Sequence, residues 1–405
     1  MRLRTPAPGL LTLPWDRPLA DWTAPQVPLR ELPVGPHRHP VRFVDSDDRL
    51  WAVKELPRHL AEREYRVLRR LEEFRLPAAR PAGIVLPGGR DAILITRYLD
   101  ATWQYRRVFL NLPPDQPAQR ARLLDAMVTL LVELHRHGVF WGDCSLANTL
   151  FSRDGQLLQA WFVDAETSEV HPSLSDGQRR HDLDILIENV AMGLLDLAAR
   201  LDRLALSSAL IAEAQGIADR YHALWDLIHA EPTFAFTDRY RVEGTVHRLN
   251  DLGFTVDEVD LTPRPDGRLR LSIRVGERNY HAQLLRQLTG LDVGAGQAAI
   301  LLGDFRSYRA ANRPEIADHE PDLDLAARWV LQVLNPGMAR AHAAVGRVGE
   351  PLQAYCDLLE VRWLLSERAG RDVGDAAALA ELGGAAPTDS AARLSIGELP
   401  STEPD

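Results

Sequence analysis

Residues 141–150 read WGDCSLANTL, in which an aspartate and an asparagine stand in the spacing Asp143-x4-Asn148. Upstream, Leu123, Met127, Leu130, Leu131 and Leu134 form an apolar stripe at helical spacing, which Gly138 ends. Downstream, residues 150–152 and 160–163 read as two short strands around a turn at Asp154-Gly155. Sixteen residues beyond Asn148, Asp164 ends the apolar run AWFV. Taken singly these are weak signals: Asp-x4-Asn is common, and Asp164 alone reads as a turn cap.

The N-terminal part supplies the rest of the pattern. VRFVD (41–45) and RLWAVK (49–54) read as strands joined by a polar turn, and Pro57 opens a helix. Of the 47 basic residues, Lys54 is the only lysine. Its survival against a strong arginine bias points to a place that needs a compact point charge rather than a planar fork. Glu64 follows on the helix and shares its apolar face with Leu60 and Leu68; Glu62 is the rival partner for the lysine. A lysine with a helical carboxylate, an aspartate to receive a hydroxyl proton, and an Asn and Asp as hard oxygen ligands for magnesium are the parts phosphoryl transfer needs.

LWAVK, WGDCSLAN and WFVDAE, in this order, resemble the protein-kinase-like superfamily over about residues 30–230. Gly-Asp in place of Arg-Asp is similar to the atypical branch: lipopolysaccharide sugar kinases, RIO-type kinases and small-molecule phosphotransferases. The chain as a whole resembles an uncharacterised bacterial family with a lipopolysaccharide-kinase-like front and a C-terminal domain of unknown function, the latter through LEVRWLLSERAGRDVG (359–374). The resemblance implies ATP and Mg2+ as cofactors. It implies Lys54 on the nucleotide phosphates with Glu64 beside it, Asp143 as the catalytic aspartate, and Asn148 and Asp164 as metal ligands. It places the hinge, which offers backbone groups to adenine, at Ile95, Arg97 and Leu99. It implies that Asp182 or Asp184 braces the catalytic loop. Asp-Ala-Glu is similar to the metal motif of kinases such as those for choline, and implies that Glu166 touches a metal or the acceptor.

Two departures bear on function. No G-x-G-x-x-G joins the first two strands; PVGPHRHPVRF (33–43) stands there, with Gly35, His37, Arg38 and His39. No Ala-Pro-Glu segment is present to dock a protein substrate, which favours a small molecule or sugar with a hydroxyl acceptor over protein Ser/Thr. The alternative is a catalytically weak or inactive nucleotide-binding pseudokinase, acting as a sensor or scaffold through a protein partner on residues 233–374.

The fold class expected is α+β: a two-lobed kinase-like fold and then a smaller, mostly helical α+β domain. The division expected is an irregular N-terminal segment (1–30), an N-lobe (31–100), a C-lobe (101–232), a C-terminal domain (233–374) and a disordered tail (375–405), since that tail has few large apolar groups. The chain has 405 residues and a net charge of −10, which argues against a nucleic-acid partner. Two cysteines suit a reducing compartment, and no apolar run is long enough to span a bilayer, so a cytoplasmic location is expected. His135 and His137 are two apart where a helical metal pair needs i, i+4, and no thiolate set accompanies them, so no zinc site is expected. Cys144 reads as a buried inert thiol.

Overall fold

The structure is a computed structural model that describes residues 1–32, 38–89, 91–100, 102–105, 117–200, 202–235, 240–266, 268–312, 322–384 and 392. The first lobe is an antiparallel sheet of β1 (Arg2–Leu3), β2 (Val41–Ser46), β3 (Arg49–Leu56), β4 (Pro81–Val85) and β5 (Ala92–Arg97), in the order β1-β4-β5-β3-β2. Asp47 and Asp48, both at positive φ, close the β2–β3 hairpin with the twist such hairpins need. One helix, α1 (Arg58–Glu73), lies on one face of the sheet. Its buried residues Ala61, Glu64, Val67, Leu68 and Leu71 recur at three- and four-residue spacing, and its arginines fill the exposed side.

The period of two along β3 sorts its side chains. Trp51 and Val53 face one core, whereas Leu56 packs against α1. Lys54 has the parity of Leu56 and so projects to the α1 side. The opposite face is covered by the N-terminal segment, where Leu10, Leu19, Trp22 and Val27 pack on Val44, Trp51, Val53, Ile93 and Ile95. Residues 1–30, expected to be irregular, thus supply an edge strand and half of a core. Their prolines prevent long elements but leave two short 3-10 turns, Pro8–Thr12 and Leu19–Asp21.

The second lobe is built on α2 (Pro117–Arg136), in which Leu123, Leu124, Met127, Val128, Leu130, Leu131 and Leu134 are all buried. Such burial on several sides marks a central helix. Gly138, at φ 73, ends it; a Cβ there would strike the carbonyl of His171. Around α2 lie a sheet of β6 (Trp103–Gln104), β8 (Thr149–Asp154) and β9 (Leu157–Phe162), and the pair β7 (Val139–Phe140) and β10 (Glu169–Val170). Helices α3 (Asp176–Arg200), α4 (Ser207–Gln215) and α5 (Ile217–His229) follow. Gly216 separates α4 from α5.

The C-terminal unit has a sheet of β11 (Thr233–Ala235), β12 (Val256–Pro263) and β13 (Arg268–Val275), with α6 (Tyr240–Asp251) beside it. Its helices are α7 (Tyr280–Thr289), α8 (Ala295–Asn312), α9 (Leu323–Trp329), α10 (Asn335–Ala344), α11 (Pro351–Ala369) and α12 (Gly374–Gly383). A π turn, Val330–Leu334, carries α9 into α10; the wider turn accommodates Pro336, which has no N–H to give. The tail after 374, expected to lack structure, begins with α12, whose Ala378 and Leu382 are buried. Small alanines let the helix pack closely against its neighbours, which a count of large apolar residues overlooks. Most of the helices share their own core, whereas Leu249 and Phe254 join the core of the first two lobes. No helix among the described residues is long and apolar enough to cross a membrane.

Candidate active site

Lys54 sits on an inner strand, opposite Val41 of β2 and Leu94 of β5. Its Nζ lies 3.1 Å from Glu64 Oε2, 3.1 Å from Asp164 Oδ2 and 3.7 Å from Glu166 Oε2. The rivalry between the two glutamates is thereby decided. Glu62 is on the solvent side of α1 and pairs with Arg58, whereas Glu64 is 1% exposed. Burial pushes the Glu64 carboxyl up to about 7, against the lowering pull of the Lys54 ammonium. Burial works to lower the Lys54 pKa, but Glu64 and Asp164 outweigh it and the ammonium stays charged. Three carboxylates converge on one small cation, a geometry that a planar guanidinium could not serve from the same strand position.

Asp164 follows the end of β9, and its Oδ1 accepts the Glu166 N–H at 3.1 Å. The β8–β9 register pairs Thr149 with Phe162, which sets Asn148 and Asp164 at neighbouring strand ends. Asn148 Nδ2 donates to the Asp143 carbonyl at 3.2 Å and to Asp143 Oδ2 at 3.0 Å. The structure thus links Lys54 to Asp164 by an ion pair, Asp164 to Asn148 by the ladder, and Asn148 to Asp143 by hydrogen bonds. Asp143 is exposed; Asn148 and Asp164 are half-buried. An amide oxygen and a carboxylate beside a local excess of negative charge fit a hard divalent cation.

The loop that carries Asp143 is held from below. Asp182, on α3 and fully buried, accepts the Trp141 N–H at 2.6 Å and the Gly142 N–H at 2.8 Å. His135 Nε2 lies 3.2 Å from the same carboxylate, and its Nδ1 lies 2.7 Å from the Tyr221 hydroxyl. Burial depresses the His135 pKa, with Asp182 opposing. The neutral ring that donates to Asp182 and accepts from Tyr221 satisfies every partner. Asp184 is exposed, so the brace is Asp182. Trp141 is itself fully buried and packs on Phe162 with ring centroids 5.1 Å apart. Tyr221 had no signal in the sequence, and His135, weighed there only as a metal ligand, belongs to this chain. No group of three or more His, Cys, Asp or Glu side chains among the described residues is arranged to hold a metal ion. Cys144 is buried, and burial raises its thiol pKa well above the ordinary value.

Of the stretch that replaces the Gly-rich loop, Gly35 and His37 lie outside the described residues. Arg38 and His39 meet Glu166, at 3.7 and 3.3 Å. In the segment expected to form the hinge, the Ile95 side chain is buried on the sheet face away from Lys54, among the N-terminal residues. The Arg97 N–H donates to the Arg80 carbonyl at 2.9 Å and the Tyr98 N–H to the Leu50 carbonyl at 3.0 Å. The Leu99 carbonyl accepts from the Thr102 hydroxyl at 2.8 Å. A cavity of about 1170 Å³ lies elsewhere, between Leu76, Glu133, Trp161, Arg278 and Val345. It contains none of the residues that surround Lys54.

The two lobes, the paired lysine and the braced loop define a kinase-like fold. Residues 48–204 match the lipopolysaccharide kinase (Kdo/WaaP) family, and residues 223–382 match a domain of unknown function, DUF4032. The chain therefore carries a Kdo/WaaP-family domain in its N-terminal part, which implies a kinase-like phosphotransferase, and a DUF4032 domain after it. Among solved structures, "WaaP in complex with acyl carrier protein" is similar at 19% identity and a TM-score of 0.33, over 47% of this chain and 89% of that one. No curated protein matches the chain.

Proposed function

We propose that the chain is an ATP- and Mg2+-dependent phosphotransferase that moves the γ-phosphoryl group to a hydroxyl on a small molecule or sugar. The observation that carries this reading is the ammonium of Lys54 held between Glu64 and Asp164, with Asp143 and Asn148 on the adjoining loop. Lys54 neutralises the nucleotide phosphates, and Glu64 keeps its ammonium aimed at them. Main-chain groups of the segment containing Ile95, Arg97 and Leu99 meet the adenine. Asn148 and Asp164 hold magnesium, which when bound screens the phosphate charge. Asp143 accepts the proton of the acceptor hydroxyl while that oxygen bonds to the γ-phosphorus and the bond to the bridging oxygen of ADP breaks. Its exposed position gives a small hydroxyl-bearing substrate direct access. Catalysis in this arrangement is mostly positioning and charge neutralisation.

The test is thermal stabilisation by ATP with magnesium, followed by a labelled-ATP transfer screen over sugars, amino alcohols and lipids. The wild type is expected to be stabilised and to transfer label; Asp143→Asn is expected to bind ATP and transfer nothing. No stabilisation at millimolar nucleotide refutes the reading. Stabilisation without transfer to any acceptor supports the nucleotide-sensing alternative instead.

A further inference from the structure

We infer that the C-terminal unit braces the β8–β9 hairpin, and that Gln353 and Asp357 are positioning residues for Asn148 and Asp164. The inference rests on the reading of the cleft proposed above. Asn148 immediately precedes β8, and Asp164 stands two residues beyond the end of β9. Both therefore hang from the open end of one paired ladder, whose closed end is the Asp154-Gly155 turn.

That closed end is gripped by the C-terminal unit. The Asp154 carboxylate accepts the Gly296 and Gln297 N–H groups at 2.9 Å each, capping the first turn of α8 from another part of the chain. Arg153 makes a two-pronged pair with Asp357 of α11, with Nη1 2.8 Å from Oδ2. Both side chains are largely buried. Gln353, one turn before Asp357, accepts the Gly155 N–H at 3.0 Å and donates to the Gly155 carbonyl at 3.0 Å. It also donates to Asp357 at 2.9 Å, which joins the two contacts into one network. A Cβ at Gly155 or at Gly296 would run into the opposing backbone, so the two main chains touch. Two further contacts, Arg122 with Glu360 and Arg75 with Glu277, tie the same unit to α2 and to the end of α1.

The C-terminal unit also meets the rest of the chain elsewhere, where Arg136 donates to the Val275 and Gly276 carbonyls. At the Asp154-Gly155 turn, however, a buried guanidinium–carboxylate pair and a bidentate amide converge, and such fork geometry fixes orientation as well as distance. The hairpin between that turn and the site is a continuous ladder, so displacement at one end moves the other. Groups that hydrogen-bond a metal ligand carry about 10–100-fold in metal affinity when removed; Gln353 and Asp357 act at one remove, through the ladder, so the low end of that range is expected.

The experiment uses the full chain with Asp357→Ala and Gln353→Ala, and with Arg362→Ala as control. Arg362 pairs with Asp372 and Asp375 inside the C-terminal unit and does not touch the hairpin. Amide hydrogen exchange over 150–162 is expected to quicken in the first two variants and stay unchanged in the control. The magnesium concentration at half-maximal stabilisation by ATP is expected to rise about tenfold in the first two, with ATP binding in chelator unaltered. Unchanged exchange overturns the brace. Faster exchange with an unmoved magnesium midpoint overturns the positioning role. A wild type silent to magnesium and ATP removes the reading of the cleft and the positioning role with it, while the exchange data still decide the brace.

Discussion

Lys54 and Asp164 stand 110 residues apart in the chain and 3.1 Å apart in space. The first belongs to the sheet of one lobe and the second to the hairpin of the other, so their ion pair crosses the cleft. It persists beside Glu64 and Glu166, which leaves the ammonium outnumbered by carboxylates. Arrival of a divalent cation and a polyphosphate would redistribute that charge.

Lys54→Arg is expected to be nearly as defective as Lys54→Ala. The fork cannot sit within hydrogen-bond reach of Glu64 and Asp164 at once without displacing α1. Removal of one placed donor at such a centre costs about 100-fold or more in kcat, and a displaced guanidinium keeps the charge but not the placement. Steady-state kinetics of the arginine variant check this, and near-wild-type turnover would contradict it.

Glu64 makes stability depend on pH. Its folded-state carboxyl holds a proton up to about pH 7, against an ordinary value of 4.5, so between those values the folded chain binds more protons than the unfolded one. The contribution is full below 4.5 and is lost as pH rises through about 7. Glu64→Gln removes this dependence. The Tm of wild type minus that of the variant should fall across this window, and a flat difference would show that the carboxyl titrates normally. Glu62→Ala, on the solvent side, is expected to change stability by no more than about 0.5 kcal/mol.

Asp182→Asn is expected to destabilise the protein by about 3 kcal/mol, because the Trp141 and Gly142 N–H groups each meet a different carboxylate oxygen and one of them would face an NH2 instead, leaving a buried donor unpaired. Urea unfolding measures the loss. ATP binding should survive where the protein folds, since Lys54 does not touch this aspartate. Turnover should fall, since the loop of Asp143 loses its anchor. A variant with unchanged stability would mean that water replaces the carboxylate.

Gly138→Ala is expected to cost at least about 1 kcal/mol, since alanine at positive φ is strained and its Cβ meets the His171 carbonyl. Thermal unfolding checks it. Gly244→Ala, where nothing lies near the added carbon, is the control and should be neutral or stabilising.

Much of the kinase-like part is local in origin and so was open to reading. Alternation in RLWAVK turns Lys54 to the helix side, and the stripe of α1 turns Glu64 to meet it. An apolar helix ending at Gly138 and a hairpin around Asp154-Gly155 lead the chain to Asp143, Asn148 and Asp164. Each of these follows from periodicity, turn chemistry and the order of elements, which depend on neighbours in the chain.

What the chain could not state alone are the contacts between distant segments. Whether Asp182 or Asp184 faces the loop depends on the rotation of α3 against α2. The same holds for the ring of His135, which finds Tyr221 and Asp182 rather than a metal. Prolines in residues 1–30 read as irregular, yet their leucines and tryptophans cover a sheet face that would otherwise meet water. Arg153, Gln353 and Asp357 carry no motif, because a contact across 204 residues leaves no spacing to recognise. Residue types and their local period determined the elements and the candidate chemistry; only the packing of one element on another decided which charges meet, since burial and distance set the strength of every pair.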